Sequence, residues 1–326
     1  MIRSFPLLPD RKNESLAKCV SFRNFTAKRM NSMLSFTPLT LSEYSSLRAF
    51  FTADKKKRRT CDYTAGTTFM WRRYFRTEYA VAHDTLLLRA RYFDSGEMYT
   101  FPVGQNPERA LITLRNEFGG GGMRFCFTSS EDLPALRAAF DTVEITEETD
   151  WADYLYAKAA FESVQGKRYH GQRNFISRFR RTYPEAALLP IAPENISAAR
   201  AFIMAQYARV SDGSSMAMAE HEAILELFDN YELYGMRGAL LTVGENVVGV
   251  TVGDVIGDTL YVHVEKADTS YVGAYPMLST AFASSVRDPA VLYINREEDM
   301  GDEGLRRAKQ SWHPIRLIPK YTVICK

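Results

Sequence analysis

The chain has 326 residues, 46% hydrophobic and 25% charged, with a formal net charge of +2. That is enough for about two domains with apolar cores, and it excludes a polycation that binds nucleic acid through overall charge. No run approaches the roughly 18 apolar residues of a membrane span, so no integral membrane segment is expected. Cys19, Cys61, Cys126 and Cys325 form no CxxC pair and the five histidines are scattered, a pattern that predicts a cytoplasmic chain and no metal site.

Residues 1–34 carry seven basic and two acidic side chains without a signal-peptide core, and read as a flexible basic leader. Residues 35–150 read as a first domain. It starts with a short strand from Phe36, then a helix over 42–51 and a basic loop, Lys55-Lys56-Lys57-Arg58-Arg59. An aromatic segment (67–76) and a hairpin over 78–92 turning at His83-Asp84 follow. Pro107 opens a helix, 123–127 is a strand, 131–140 a helix and 143–145 a strand. The run Gly119-Gly120-Gly121-Gly122 lacks a following GK[ST] and reads as a turn. Residues 151–182 are expected to be bridging helices, 151–164 and 170–181, and 183–326 a second domain. There, strand 187–191 leads to helices 193–209 and 216–228. Strands 233–243, 247–255 and 259–265 are joined by tight turns at Gly244-Glu245-Asn246 and Gly257-Asp258. Helix 273–285, strand 291–294, helix 304–311 and strand 315–323 complete the half. Tight hairpins between consecutive strands exclude a Rossmann unit. The order β-α-α-β-β-β-α-β-α-β resembles a GNAT acyltransferase.

Several longer motifs agree with that order: Asp153-Tyr154-Leu155-Tyr156, the segment Gly166 to Asn174, Val262-His263-Val264-Glu265-Lys266-Ala267, Gly273-Ala274-Tyr275, Ile294 to Gly301, and Gly304 to Lys309. Together with Phe69 to Phe75 they are similar to a bacterial family of soluble proteins resembling the C-terminal domain of phosphatidylglycerol lysyltransferase. The resemblance spans about residues 34–326. It implies an α/β (α+β) chain of two tandem GNAT-like domains, with mixed, mostly antiparallel sheets flanked by helices. It also implies kinship with Fem-type transferases, which move an amino acid from aminoacyl-tRNA to a lipid headgroup or a peptidoglycan precursor. The membrane-spanning half of the lipid lysyltransferases has no counterpart here, which turns the expectation away from a lipid acceptor.

Acyl transfer to an amine needs a base to take a proton from the incoming ammonium. Glu265 is the first candidate, followed by Glu297 and Asp299. With a strand period of two, His263 and Glu265 face one side and Lys266 the other. His263, Lys266, Asn295, Arg296 and Tyr275 are candidate substrate contacts. Arg306 and Lys309, three apart on a helix, could hold a carboxylate or phosphate. The bland alternatives are a surface loop with ordinary salt bridges and a buried His-Glu pair. Cation-rich Lys167, Arg168, Arg173 and Arg178 suit tRNA phosphates, or form a solvated helix face. An acyl-CoA enzyme would place Gln/Arg-x-x-Gly-x-Gly/Ala where this chain has Ser270 to Tyr275. The missing Gln or Arg and the bulky Tyr275 favour aminoacyl-tRNA over acyl-CoA as donor, with no tightly bound cofactor and a small-molecule acceptor. No nucleophile elbow is present, so direct attack is expected. The alternatives are an acyl-CoA-dependent N-acyltransferase and a non-catalytic small-molecule-binding member of the fold.

Overall fold

The computed structural model describes residues 34–53, 58–91, 96–210 and 213–326. Residues 1–33 of the expected leader and Lys55, Lys56 and Lys57 of the basic loop lie outside them. The first half contains β1 (Thr37–Pro38), α1 (Tyr44–Ala53), α2 (Ala65–Trp71), β2 (Glu78–Ala82), β3 (Thr85–Arg91), β4 (Glu97–Tyr99), β5 (Val103–Gly104), α3 (Pro107–Phe118), β6 (Met123–Thr128), α4 (Leu133–Ala139) and β7 (Val143–Glu147). His83 and Asp84 both take φ of 54°, the left-handed pair that a tight hairpin requires. The second half contains β8 (Asp153–Ala157), α5 (Lys158–Ser163), α6 (His170–Thr182), β9 (Ala187–Pro190), α7 (Ile196–Val210), α8 (Ser215–Asp229), α9 (Tyr231–Tyr234), β10 (Arg237–Val243), β11 (Asn246–Ile256), β12 (Thr259–Ala267), α10 (Ala274–Ser285), β13 (Tyr293–Asn295), α11 (Glu303–Gln310), β14 (Arg316–Ile318) and β15 (Tyr321–Cys325).

Two sheets result. One runs β1-β2-β3-β4-β6-β15-β7 with β5 paired to β3, and the other runs β14-β8-β13-β12-β11-β10-β9. Pairing is antiparallel except between β4 and β6 and between β12 and β13. Helices flank both sheets, giving the tandem GNAT-like arrangement implied by the sequence.

Three local expectations are corrected. The helix expected over 151–164 is strand β8 followed by the short α5. Tyr154, Leu155 and Tyr156 are all buried between β13 and β14, and a strand covered on both faces lacks the alternation that betrays a strand. The strand expected from 233 starts at Arg237, because Tyr231–Tyr234 forms α9 and Gly235 ends it at φ 62°. The single strand expected over 315–323 divides at Pro319-Lys320: β14 pairs with β8 in the second sheet, while β15 inserts between β6 and β7 of the first.

The halves share one core. Tyr44, Phe69, Leu87 and Phe125 of the first half belong to the same buried cluster as Ile203, Leu227, Tyr234 and Val264 of the second. Tyr44 meets Phe69 edge-to-face and Tyr234 at a tilt, both with ring centroids 4.8 Å apart, and donates its hydroxyl to the Tyr234 carbonyl. A second cluster, including Val262, Met277, Phe282 and Trp312, lies under α10.

Candidate active-site cleft

β12 and β13 run in parallel only over Thr259–Tyr261 and Tyr293–Asn295. Beyond that point β12 continues along β11 while the chain after Asn295 turns away, and a cleft of about 560 Å³ opens there. Such a divergence leaves strand ends and loop groups free for a ligand.

A bulge sets which side chains enter the cleft. Pairing of β11 with β12 shifts between Val252↔Val264 and Gly253↔Val262, so His263 is the extra residue. A Cβ on Gly253 would lie 2.4 Å from the Tyr261 carbonyl oxygen, which is why a glycine stands opposite the bulge. Val262 and Val264 consequently pack into different cores, which regular alternation forbids. This corrects the expected common face of His263 and Glu265. Glu265 reaches Ser279 of α10 (2.9 Å) and Arg296 (2.6 Å). His263 instead turns to the first half, with Nδ1 2.8 Å from Glu297 Oε1 and 3.4 Å from the Thr67 hydroxyl. Its Nε2 has no polar partner among the described residues, and it would lie 2.8 Å from a Cβ on Gly66. This packing suits the tautomer with its hydrogen on Nδ1, donating to Glu297.

The loop from Asn295 to Gly301 is braced from within. Glu297, Met300 and Gly301 have φ of 58°, 51° and 81°, a geometry that costs non-glycine residues about 1–3 kcal/mol each. Buried Asn295 donates to Asp153 (2.7 Å) and accepts the Glu297 amide (2.6 Å). Asp299 receives Tyr154 (2.6 Å), the Gly301 amide (2.9 Å) and Arg306 (2.7 and 2.9 Å). Burial pushes the Asp299 carboxyl up, but these hydrogen bonds outweigh it and hold its pKa at about 2. Lys309 is buried and donates to the Arg296 and Glu298 carbonyls, so it and Arg306 tie the loop down rather than project from it. Lys266 pairs with Glu220 of α8 at 2.9 Å. Tyr275, on the first turn of α10, is not among the residues that line the cleft.

Below the loop is a buried ionic cluster that the sequence did not reveal. Lys320 Nζ is fully buried, 2.7 Å from Asp62, 2.7 Å from Asp153, 3.0 Å from Glu298 and 3.4 Å from Cys61 Sγ. Burial pushes Asp153 up to about 7 and Asp62 up to about 6, against the pull of Lys320. Glu298 is also pushed up by burial, yet the Lys320 charge brings it down to about 2. Cys61, Asp62 and Asp153 present three metal-type donors within 4.8 Å of one another, but the Lys320 ammonium is the cation that they surround. A lone lysine in the mostly apolar run Leu317 to Cys325 was the hint. Its partners come from the distant α2 approach, β8 and the Glu298 turn.

The candidate phosphate contacts separate. Arg173 is spent on the Val164 and Gly166 carbonyls at 2.7 and 2.6 Å. Lys167, Arg168 and Arg178 are exposed on α6 and the turn before it, and Arg168 lies over the Tyr169 ring. The start of α10, where an acyl-CoA enzyme would hold pyrophosphate, is packed against α6 at Gly273, while Ser270 and Tyr275 on either side are exposed. Gly273 has φ 92° and packs so closely on α6 that a Cβ would lie 2.4 Å from the Phe175 carbonyl oxygen. Asp268 caps the same turn, accepting the Ser270 amide at 2.9 Å.

Residues 54–324 match the family described as phosphatidylglycerol lysyltransferase, C-terminal. The chain belongs to that family. A conserved protein of unknown function from Bacteroides thetaiotaomicron is 32% identical with a TM-score of 0.81, covering 90% of this chain and 100% of that one. The phosphatidylglycerol lysyltransferase C-terminal fold also appears in the C-terminal domain of a putative lysylphosphatidylglycerol synthetase from Agrobacterium fabrum. That domain has a TM-score of 0.64 and 14% identity, over 87% of this chain and 92% of that one. L-PGS from Bacillus licheniformis gives a TM-score of 0.59 and 12% identity, over 86% of this chain and 91% of that one. An uncharacterised protein of Mycoplasmoides gallisepticum is 23% identical over 198 residues, 59% of this chain, and the match spans 61% of that protein's length. Among the described residues no helix is long and apolar enough to cross a membrane.

Proposed function

We propose that this protein transfers an aminoacyl group from aminoacyl-tRNA to an amine or hydroxyl acceptor in the cleft, with Glu297 as the base. The observation that carries the reading is the setting of Glu297: it stands at the strand divergence, leans on His263 at 2.8 Å, and its side chain keeps 21% exposure. Membership of the phosphatidylglycerol lysyltransferase C-terminal family supports the reaction class. In the step proposed, Glu297 accepts a proton from the acceptor ammonium or hydroxyl. The freed lone pair attacks the ester carbonyl, the ester C–O bond to the ribose breaks, and the ribose oxygen leaves as a hydroxyl with a proton from the attacking nitrogen or, where a hydroxyl attacks, from protonated Glu297. The close packing of Gly273 on α6 disfavours backbone approach to a CoA pyrophosphate, whereas Lys167, Arg168 and Arg178 offer exposed cations to a tRNA backbone.

The test is transfer of labelled amino acids from a charged total tRNA pool, and of labelled acetyl from acetyl-CoA, to amine and hydroxyl acceptors at low salt. Label transfer from tRNA that disappears at high salt is expected. Transfer from acetyl-CoA with none from tRNA would overturn the donor assignment.

A further inference from the structure

The outer face of α6 carries features that the packing of the helix does not use. No acidic residue stands between Glu162 and Glu185. Lys167, Arg178 and Arg181 are exposed and meet no carboxylate among the described residues, so their charge is left for an external anion.

Phe175 stands amid this charge and is 49% exposed. Its backbone is fixed, because its carbonyl oxygen would lie 2.4 Å from a Cβ on Gly273, which seats α6 tightly on α10. No other ring stacks on it among the described residues. Gly171, one turn earlier on the same helix face, has open space where a Cβ would be, and its φ is not in the left-handed region. Neither packing nor backbone requires a glycine there. Helical side chains lean towards the N-terminus, so the bare Gly171 leaves the ring of Phe175 open on the side it leans to.

A rigidly placed open ring among cations suits an unpaired nucleotide, which offers a stacking face and a phosphate together. A duplex turns its base faces inward. A lipid surface calls for a broad apolar face, whereas Ile176 and Phe179, the other large apolar side chains of α6, are buried in the core.

We infer that this face of α6 holds an unpaired segment of RNA, with one base stacked on Phe175 and a neighbouring phosphate on Arg178, one turn further along. α6 meets α10 at Gly273, a few residues beyond β12, whose Glu265 and Lys266 line the cleft. That the strand is RNA, and the unpaired end of a donor tRNA, rests on the transferase reading; the stacking itself does not.

Fluorescence anisotropy of the whole protein with a labelled oligouridylate of about 12 nucleotides at low salt, alone and annealed to oligoadenylate, tests this. Phe175→Ala should weaken single-strand binding at least about fivefold, alter duplex binding less than about twofold and leave the salt slope unchanged. Phe175→Tyr should restore the affinity. Arg178→Gln should instead lower the salt slope by about one. Equal weakening on both probes, no weakening by Phe175→Ala, or no saturable single-strand binding would each overturn the inference. Tighter binding of oligodeoxyuridylate would reject RNA as the strand. A Phe175→Ala loss confined to phosphatidylglycerol vesicles would give the face to a membrane and overturn it too. Phe175→Leu, which keeps apolar bulk without the ring, replaces the alanine variant if that does not fold. The probe carries no aminoacyl ester. Stacking without transfer therefore rejects the transferase reading alone, and transfer without single-strand binding rejects the stacking alone.

Discussion

Glu297 lines the cleft without an ion pair to lysine or arginine among the described residues; Asp302 does so too, but it is spent capping α11 through the Leu305 amide at 2.6 Å. Glu265 is held by Arg296, Asp299 by Arg306, Glu298 by Lys320 and Glu220 by Lys266, whereas Glu297 leans on an imidazole and a hydroxyl. A carboxylate stabilised by a neighbouring cation is a poor proton acceptor. Glu297→Gln should therefore lower kcat by at least about 100-fold with an unchanged urea midpoint, while Asp299→Asn should act first on stability. The sign for Asp299 follows from its pKa of about 2 when folded, against about 3.9 unfolded. Its contribution is full above the unfolded value and is lost as pH falls towards 2. Wild-type urea midpoints should fall between about pH 4 and 2, and Asp299→Asn should lose less over that window. The sequence exposed the loop residues because polar side chains crowd a strand-to-helix link. It could not rank them, since each clamp comes from a residue remote in sequence or from the far side of a turn.

Elements explain most of what was legible. The His83-Asp84 and Gly244 turns and the Pro107 helix start were readable, because their conformations depend on the residues at the turn itself. β8 was misread because both of its faces are buried, and the His263 bulge left a single trace, Gly253 within a strand. At this scale Gly273 is the most demanding position. Its positive φ and the Phe175 carbonyl 2.4 Å from any Cβ mean that Gly273→Ala must part α10 from α6. A loss of about 1–3 kcal/mol or more in urea unfolding is expected. Gly166→Ala, at a φ of 94° but with nothing within 4 Å of its Cβ, should cost less. Equal losses would refute the packing argument.

For the whole molecule, Lys320 and the shared core make the halves one unit. Lys320→Met leaves Asp62, Asp153 and Glu298 facing one another in a buried site, and should cost about 3–5 kcal/mol. Adding Asp153→Asn should recover part of that. Unfolding should be one transition. Trp71 and Trp151 report on the first half and Trp312, stacked on Phe161 at 4.2 Å, on the second. Their fluorescence and far-ultraviolet circular dichroism should therefore coincide, and separate midpoints would show that the shared cluster is not cooperative.

The place of β15 has a consequence for how the molecule is made. β6 and β7 are complete early in synthesis, but the strand that joins them is translated after the whole second half. Until then β6 leaves the nascent first sheet with an open edge, and β7, whose pairing is with β15, has no strand to join; both can recruit a foreign strand. Ribosome-bound intermediates halted before residue 321 should be the aggregation-prone species, and a chaperone that shields strand edges would be needed at that stage rather than after release.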